Sequence, residues 1–151
     1  MGGLVGTTTA VGFGNSVAGL NIVGGVIDTT GTTNMAFSVP RDGTITSLAA
    51  EFSLSLAATL VGSTVTVSAQ LFSAPALSNS FSAVPGALVT LAPPYTGIVA
   101  VGASSAGVTT GLSIPVTAGT RLMLVFAANV TAGIDIATTL TGFASAGVNI
   151  V

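Results

Sequence analysis

Sixty-nine consecutive residues, Phe52 to Thr120, carry no charged side chain. So long a run of apolar and hydroxylated residues can fold as a membrane-spanning helix, as a barrel wall or as a sheet with one wet face. Its internal pattern chooses between them. Thr64-Val65-Thr66-Val67-Ser68-Ala69-Gln70-Leu71 alternates polar and apolar at every step, the period of a strand with one buried face. Pro75, Pro85, Pro93, Pro94 and Pro115 break any helix long enough to cross a bilayer. A membrane barrel would carry aromatic girdles, which seven Phe, one Tyr and no Trp do not supply. No membrane is therefore expected as a partner.

The same alternation recurs elsewhere. Met35, Phe37 and Val39 alternate with Ala36 and Ser38, and Phe52, Leu54 and Leu56 with Ser53 and Ser55. Further strand candidates are Thr9 to Gly14, Ile22 to Ile27, Ala87 to Leu91, Ile98 to Val101, Thr109 to Val116, Thr120 to Val130 and Phe143 to Val151. About ten such segments, separated by Gly- and Pro-rich turns, predict an all-β chain folded as an antiparallel sandwich. The 151 residues form one expected domain, large enough to bury a core without disulfide or metal. Gly2 to Gly31, richest in Gly and Thr, is expected to be its least regular part. Ser73 to Pro85, holding Pro75, Asn79 and Pro85, is the best candidate for a long surface loop.

Charge is scarce enough to exclude whole classes of function. The six charged residues are Asp28, Arg41, Asp42, Glu51, Arg121 and Asp135, and a net charge of -2 cannot neutralise phosphates, so no nucleic-acid partner is expected. Ser and Thr, 15 and 22 of them, must supply the wet surface instead. With neither His nor Cys, the chain can build no Ser-His or Cys-His nucleophile pair and no thiolate or imidazole metal site. It has no Lys for a phosphate loop, and its four carboxylates form no paired motif. The reading is a non-enzyme with no catalytic residue, no cofactor and no metal ligand.

Two stretches stand out. In "VPRDGTI", Pro40 presets a turn and Asp42-Gly43 is a strong turn pair, so Pro40, Arg41, Asp42 and Gly43 read as a solvated loop between two antiparallel strands, with Gly43 at positive φ. Ser113-Ile114-Pro115 followed by Gly119-Thr120-Arg121 echoes Ser38-Val39-Pro40 followed by Gly43-Thr44. The second stretch, Leu122, Met123, Leu124, Val125 and Phe126, is apolar without alternation, which in an antiparallel sheet means that both faces are covered. One face meets the core. The other is expected to meet a neighbouring chain, making the run a candidate trimer interface, or else to lie under a loop.

Taken in order, the blocks "VGFGNSVAGLNIVGGVIDTTG" (11–31), "MAFSVPRDGTITSLAAEFS" (35–53), "LVGSTVTVSAQLF" (60–72), "FSAVPGALVTLAPPYTGIV" (81–99), "TTGLSIPVTAGTRLMLVFAA" (109–128) and "GFASAGVNI" (142–150) cover nearly the whole chain. They closely resemble the C-terminal domain of collagen-like exosporium glycoproteins of spore-forming bacteria, the BclB/BclA type. That family looks like a bacterial relative of the C1q and tumour-necrosis-factor jelly roll, and Phe37, Pro40 and Gly43 match its aromatic-Pro-Gly entry into a long strand. The resemblance implies a ten-stranded jelly roll that forms a homotrimer and caps a collagen-like stalk at the spore surface, in the exosporium. It implies no catalytic residues, and as further partners spore-coat or exosporium proteins or host surface ligands. A rival reading is an adhesin whose apical loops, Ser73 to Pro85 among them, bind a ligand. The chain departs from the pattern in being poorer in aromatics and in containing no Gly-Xaa-Yaa repeat.

Overall fold

A computed structural model describes residues 2–4, 8–11, 16–32, 35–134 and 139–151. Part of the strand expected over Thr9 to Gly14 (12–14), and Asp135, lie outside the described residues. The rest is built of strands: β1 (Gly2–Leu4), β2 (Thr8–Val11), β3 (Ser16–Leu20), β4 (Val26–Asp28), β5 (Phe37–Ser38), β6 (Gly43–Leu54), β7 (Ala58–Ala74), β8 (Ser80–Thr90), β9 (Tyr95–Val99), β10 (Ser104–Thr109), β11 (Ile114–Val116), β12 (Arg121–Gly133) and β13 (Thr139–Ile150). They pair antiparallel throughout. One sheet has the order β1-β13-β6-β10, with β11 also on β6; the other runs β3-β2-β12-β7-β8-β4, with β5 on β12 and β9 on β7. The chain is thus all-β and arranged as a jelly-roll sandwich. Among the described residues no helix is long and apolar enough to cross a membrane.

The alternating segments do what their period requires. Ile45, Leu48, Ala50, Phe52 and Leu54 of β6 meet Val65, Val67, Ala69 and Leu71 of β7 in the main core between the sheets. A second cluster lies on the other side of the larger sheet, where Phe72, Ala74, Phe81, Met123 and Val125 pack with Ala10, Ile27 and Met35. The Gly/Thr-rich beginning of the chain is therefore not irregular filler. It contributes four strands and covers this second core.

Three expectations need correcting. The loop over Ser73 to Pro85 is confined to 75–79, because β8 begins at Ser80 and carries Pro85 within it. Its pairing with β7 shifts register between Gln70 and Phe72, and Gly86 there has φ 79°. A Pro is tolerated in a strand at such a bulge, where its missing N–H breaks no ladder. Thr109 to Val116 divides into the end of β10 and the separate β11. Ile22 to Ile27 is mostly a turn through Gly24 and Gly25, both at positive φ, and only Val26 onward joins a sheet.

Tyr95 ties one end of the sandwich together. Its ring stands edge-on to Phe52, with centroids 6.2 Å apart and planes at 80°. Its hydroxyl donates to the Phe52 carbonyl at 2.9 Å and accepts from Ser105 Oγ at 3.2 Å. Replacing Tyr95 by Phe leaves these buried polar groups short of a partner and should cost about 1–2 kcal/mol in a denaturant titration. Burial also raises the Tyr95 pKa above its ordinary 10.0, more than the Ser105 hydrogen bond lowers it. The folded hydroxyl ionises less readily than the unfolded one, so its stabilisation is whole below about pH 10 and is lost as pH rises through the folded value. The chain has one Tyr and neither Lys nor Cys. An alkaline fall in the denaturation midpoint, absent from Tyr95→Phe, would therefore identify this group.

Candidate functional surfaces

All five residues of the apolar run from Leu122 to Phe126 are buried within a single chain. Leu122, Leu124 and Phe126 point into the main core and Met123 and Val125 into the second. Period-2 alternation is present but invisible in the sequence, because both faces of β12 are apolar. The covering layer expected from a neighbouring chain is supplied by the chain's own residues around Ala10, Ile27 and Met35. The run is core, and its burial requires no second copy.

The segment from Pro40 to Gly43 is exposed at Arg41 and Asp42, as a turn should be, but it is not a hairpin. It carries the chain from β5, on the larger sheet, to β6 in the other. The two charged side chains do not pair with each other. Arg41 donates from Nη1 to the Asp42 carbonyl at 3.2 Å and from Nη2 to the Ile150 carbonyl at 3.4 Å, while Asp42 Oδ1 accepts the Ala118 N–H at 2.8 Å. The echoing turn lies alongside: the Val39 N–H donates to Thr120 O and the Gly119 N–H to Val39 O, each at 2.8 Å. Charge is placed here to satisfy backbone groups where two turns meet. Gly43 is not at positive φ; an added Cβ would lie 2.8 Å from both Ile150 Cγ2 and Val151 O, so Gly is required by close approach.

Beside these turns, residues 75–79 form a loop clamped from several sides. Arg121 donates from Nη1 to Ser78 O and, at 3.0 Å, to Asn79 Oδ1, and its guanidinium sits 5.1 Å from the Phe81 ring centre. The Thr29 N–H donates to Asn79 O at 2.9 Å, and Ser78 N–H closes a turn on Pro75 O. At the tip, Leu77 is 102% exposed with φ 65°, a left-handed conformation that costs a non-Gly residue energy.

The outward face of the smaller sheet is made mostly of small side chains. Register places Val108 opposite Ala49 and Ala49 opposite Gly147; the next row holds Ala106, Glu51 and Ser145, and the one after it Ser104, Ser53 and Phe143. Ala49, Ala106, Ser145 and Gly147 floor a shallow groove of about 290 Å³. Val108 at 67% and Phe143 at 73% exposure stand beside it. Sequence reasoning missed this surface, because small residues occupy both faces of β13 and no period distinguishes them. Among the described residues no three acidic side chains gather as a metal site.

One curated relative identifies the kind of protein this chain resembles. It is 37% identical over 152 residues to "Collagen-like protein 1" of Acanthamoeba polyphaga mimivirus. The match takes in 97% of this chain and 16% of that protein, so the chain spans about a sixth of its relative's length. No family model and no solved structure matches. The chain is thus similar to a segment of a collagen-like protein.

The turn geometry generates a paired expectation. Gly43→Val should destabilise the fold by about 1–3 kcal/mol, because the new side chain collides with the last residues of β13 and with Val151. Arg41→Ser, which loses only exposed hydrogen bonds, should change stability by less than about 0.5 kcal/mol. Denaturant midpoints of the two variants check the order, and a larger effect at Arg41 would contradict it.

Proposed function

We propose that this chain is a non-enzymatic structural domain of a collagen-like fibre, which self-associates as a trimer and holds three chains in register. The similarity to a collagen-like protein over 97% of the chain carries this reading. A collagen-type triple helix needs three chains started in register, and a compact β domain that trimerises meets that need. The absence of His, Cys and Lys from the sequence points the same way, since it removes the imidazole, thiol and amine groups that activate a hydroxyl or act as nucleophiles themselves. We place the fibre on an outer particle surface, the spore exosporium being the site that the sequence resemblance suggests. A scaffold with two arginines, one of them paired within β12, suits exposure to trypsin-like proteases.

The test is direct. Light scattering of the chain at micromolar concentration should give three times its 14.5 kDa mass. Fusing a Gly-Xaa-Yaa repeat ahead of Gly2 should yield a triple helix that refolds faster and melts higher than the repeat alone. A single-chain mass with no effect on the repeat would overturn the reading.

A second reading, an adhesin, is favoured by Leu77. A fully exposed leucine, held at positive φ on a clamped loop, is a rigid apolar knob offered to solvent. On this reading Leu77→Gly relieves strain, raising stability by about 0.5–1 kcal/mol, while abolishing adhesion to an array of glycans and matrix proteins. Retained adhesion in that variant would remove Leu77 from the account.

A further inference from the structure

We infer that the outer edge of β13, from Ala144 to Val148, is a strand-addition site that takes an extended, uncharged peptide segment of a partner protein. The inference is independent of the trimer proposed above.

The hydrogen-bonding parity of the strand is the first observation. The Ser55 N–H donates to Thr141 O at 2.9 Å on the side of β6, and in an antiparallel pair such bonded positions recur at every second residue. Phe143, Ser145 and Gly147, opposite Ser53, Glu51 and Ala49, therefore turn their backbone groups toward β6. The far side of β6 keeps the same count, since the Leu54 N–H donates to Ala103 O in the direction of β10. Ala144, Ala146 and Val148 then turn their N–H and C=O groups away from β6. On that side β1 covers only Thr139 to Thr141, and no strand among the described residues pairs beyond it. A row of open backbone donors and acceptors at strand spacing is complementary to another strand.

This edge is also unguarded. Natural sheet edges are blunted by charge, Pro, bulges or brevity. β13 has neither charge nor Pro, and its register shift comes only at its end, between Asn149 and Ile150. Other edges are protected: β10 is bridged from Ala106 to Ala92, β8 carries Pro85, and β3 is interrupted by Gly19 at φ 76°. Nothing crowds β13 at its middle, where a Cβ added at Gly147 would meet no atom within 4 Å.

The same residues define the segment. Side chains opposite Ala144, Ala146 and Val148 lie on the face of the main core, whose fringe is half-buried at Ala144 and Val148 and exposed at Ala146. Small apolar residues there would complete its cover. Those opposite Phe143, Ser145 and Gly147 lie on the outward face and suit hydroxyls, while Glu51, on the same face, disfavours an acidic segment. The segment runs antiparallel to β13, in line with Gly2-Gly3-Leu4, which already occupies the start of this edge in that direction. A second copy fits less well, because pairing β13 with its own equivalent joins two chains about a two-fold axis, not three. Backbone hydrogen bonds supply the affinity and the alternate side chains the selectivity, as in strand addition generally.

The probe is the heptapeptide acetyl-Thr-Val-Thr-Val-Thr-Val-Thr-amide, and its control carries a methyl group on each Val nitrogen. In the free protein the amides of Ala144, Ala146 and Val148 should exchange with solvent faster than those of Ser145 and Gly147. Millimolar peptide should slow the first set at least about tenfold, and the methylated peptide should not. Ala146→Pro removes an N–H that faces the open edge, so it should keep the wild-type denaturation midpoint and lose the response to the peptide. Should that variant not fold, the methylated peptide carries the comparison. Equal protection of both sets in the free protein would show the edge already filled, and protection that grows with protein concentration would assign it to a second copy. Either result overturns the proposal, as does a peptide without effect or a methylated peptide with the same effect.

Discussion

Everything in this fold depends on β12 being buried on both faces. Leu122, Leu124 and Phe126 close the core between the sheets, while Met123 and Val125 hold a second apolar layer against Phe72 and Phe81. β12 also carries the longest pairing in the molecule, from Arg121 to Gly133 against β7. A strand with no wet face cannot slip by one residue without exchanging two sets of well-packed side chains, so it fixes the register of the larger sheet. The beginning of the chain and the end of β7 are then placed by what they must cover.

A consequence is that few polar side chains are needed inside. Thr29, Ser63 and Ser105 are the buried polar residues among those described, and each has a hydrogen-bond partner. Three of the described charged residues serve backbone groups at turns, Asp42 on Ala118 N–H, Asp28 on Thr30 N–H and Arg121 on Ser78 O, while Glu51 stands on the exposed face of β6. The Thr30 contact holds Asp28 below its ordinary pKa, so this turn keeps its acceptor well into acid. In a chain with 4% charged residues these contacts do the work of caps, while hydroxyls supply solvation.

The class of fold was legible because alternation in Thr64 to Leu71 and in Phe52 to Leu54 is a direct record of one buried face, although Leu56, expected to continue it, lies past the end of β6 and is exposed. Sheet membership was not. Nothing local in "VPRDG" distinguishes a hairpin from a crossing between sheets, since both need a turn, and the difference lies in which distant strand each end pairs with. The apolar run at Leu122 correctly signalled two covered faces but could not say by what. The cover proved to be residues nearly a hundred positions upstream, in a segment whose Gly and Thr content looks irregular. The surface around Gly147 was illegible for another reason: a glycine forced by contact within the chain and one with open space above it are the same letter.

The second core also sets where this domain can be cut. Ile27 and Met35 lie on the segment that precedes β5, yet they lid Phe72, Phe81, Met123 and Val125. Thr29 is bonded to the loop fifty residues downstream through both its N–H and its hydroxyl. A shortened version beginning at the first long strand, β6, would keep every residue of the main sandwich from Gly43 onward. It would still bare a greasy outer wall. A boundary drawn by sequence complexity would therefore strip Phe72, Phe81, Met123 and Val125 of the cover that Ile27 and Met35 provide.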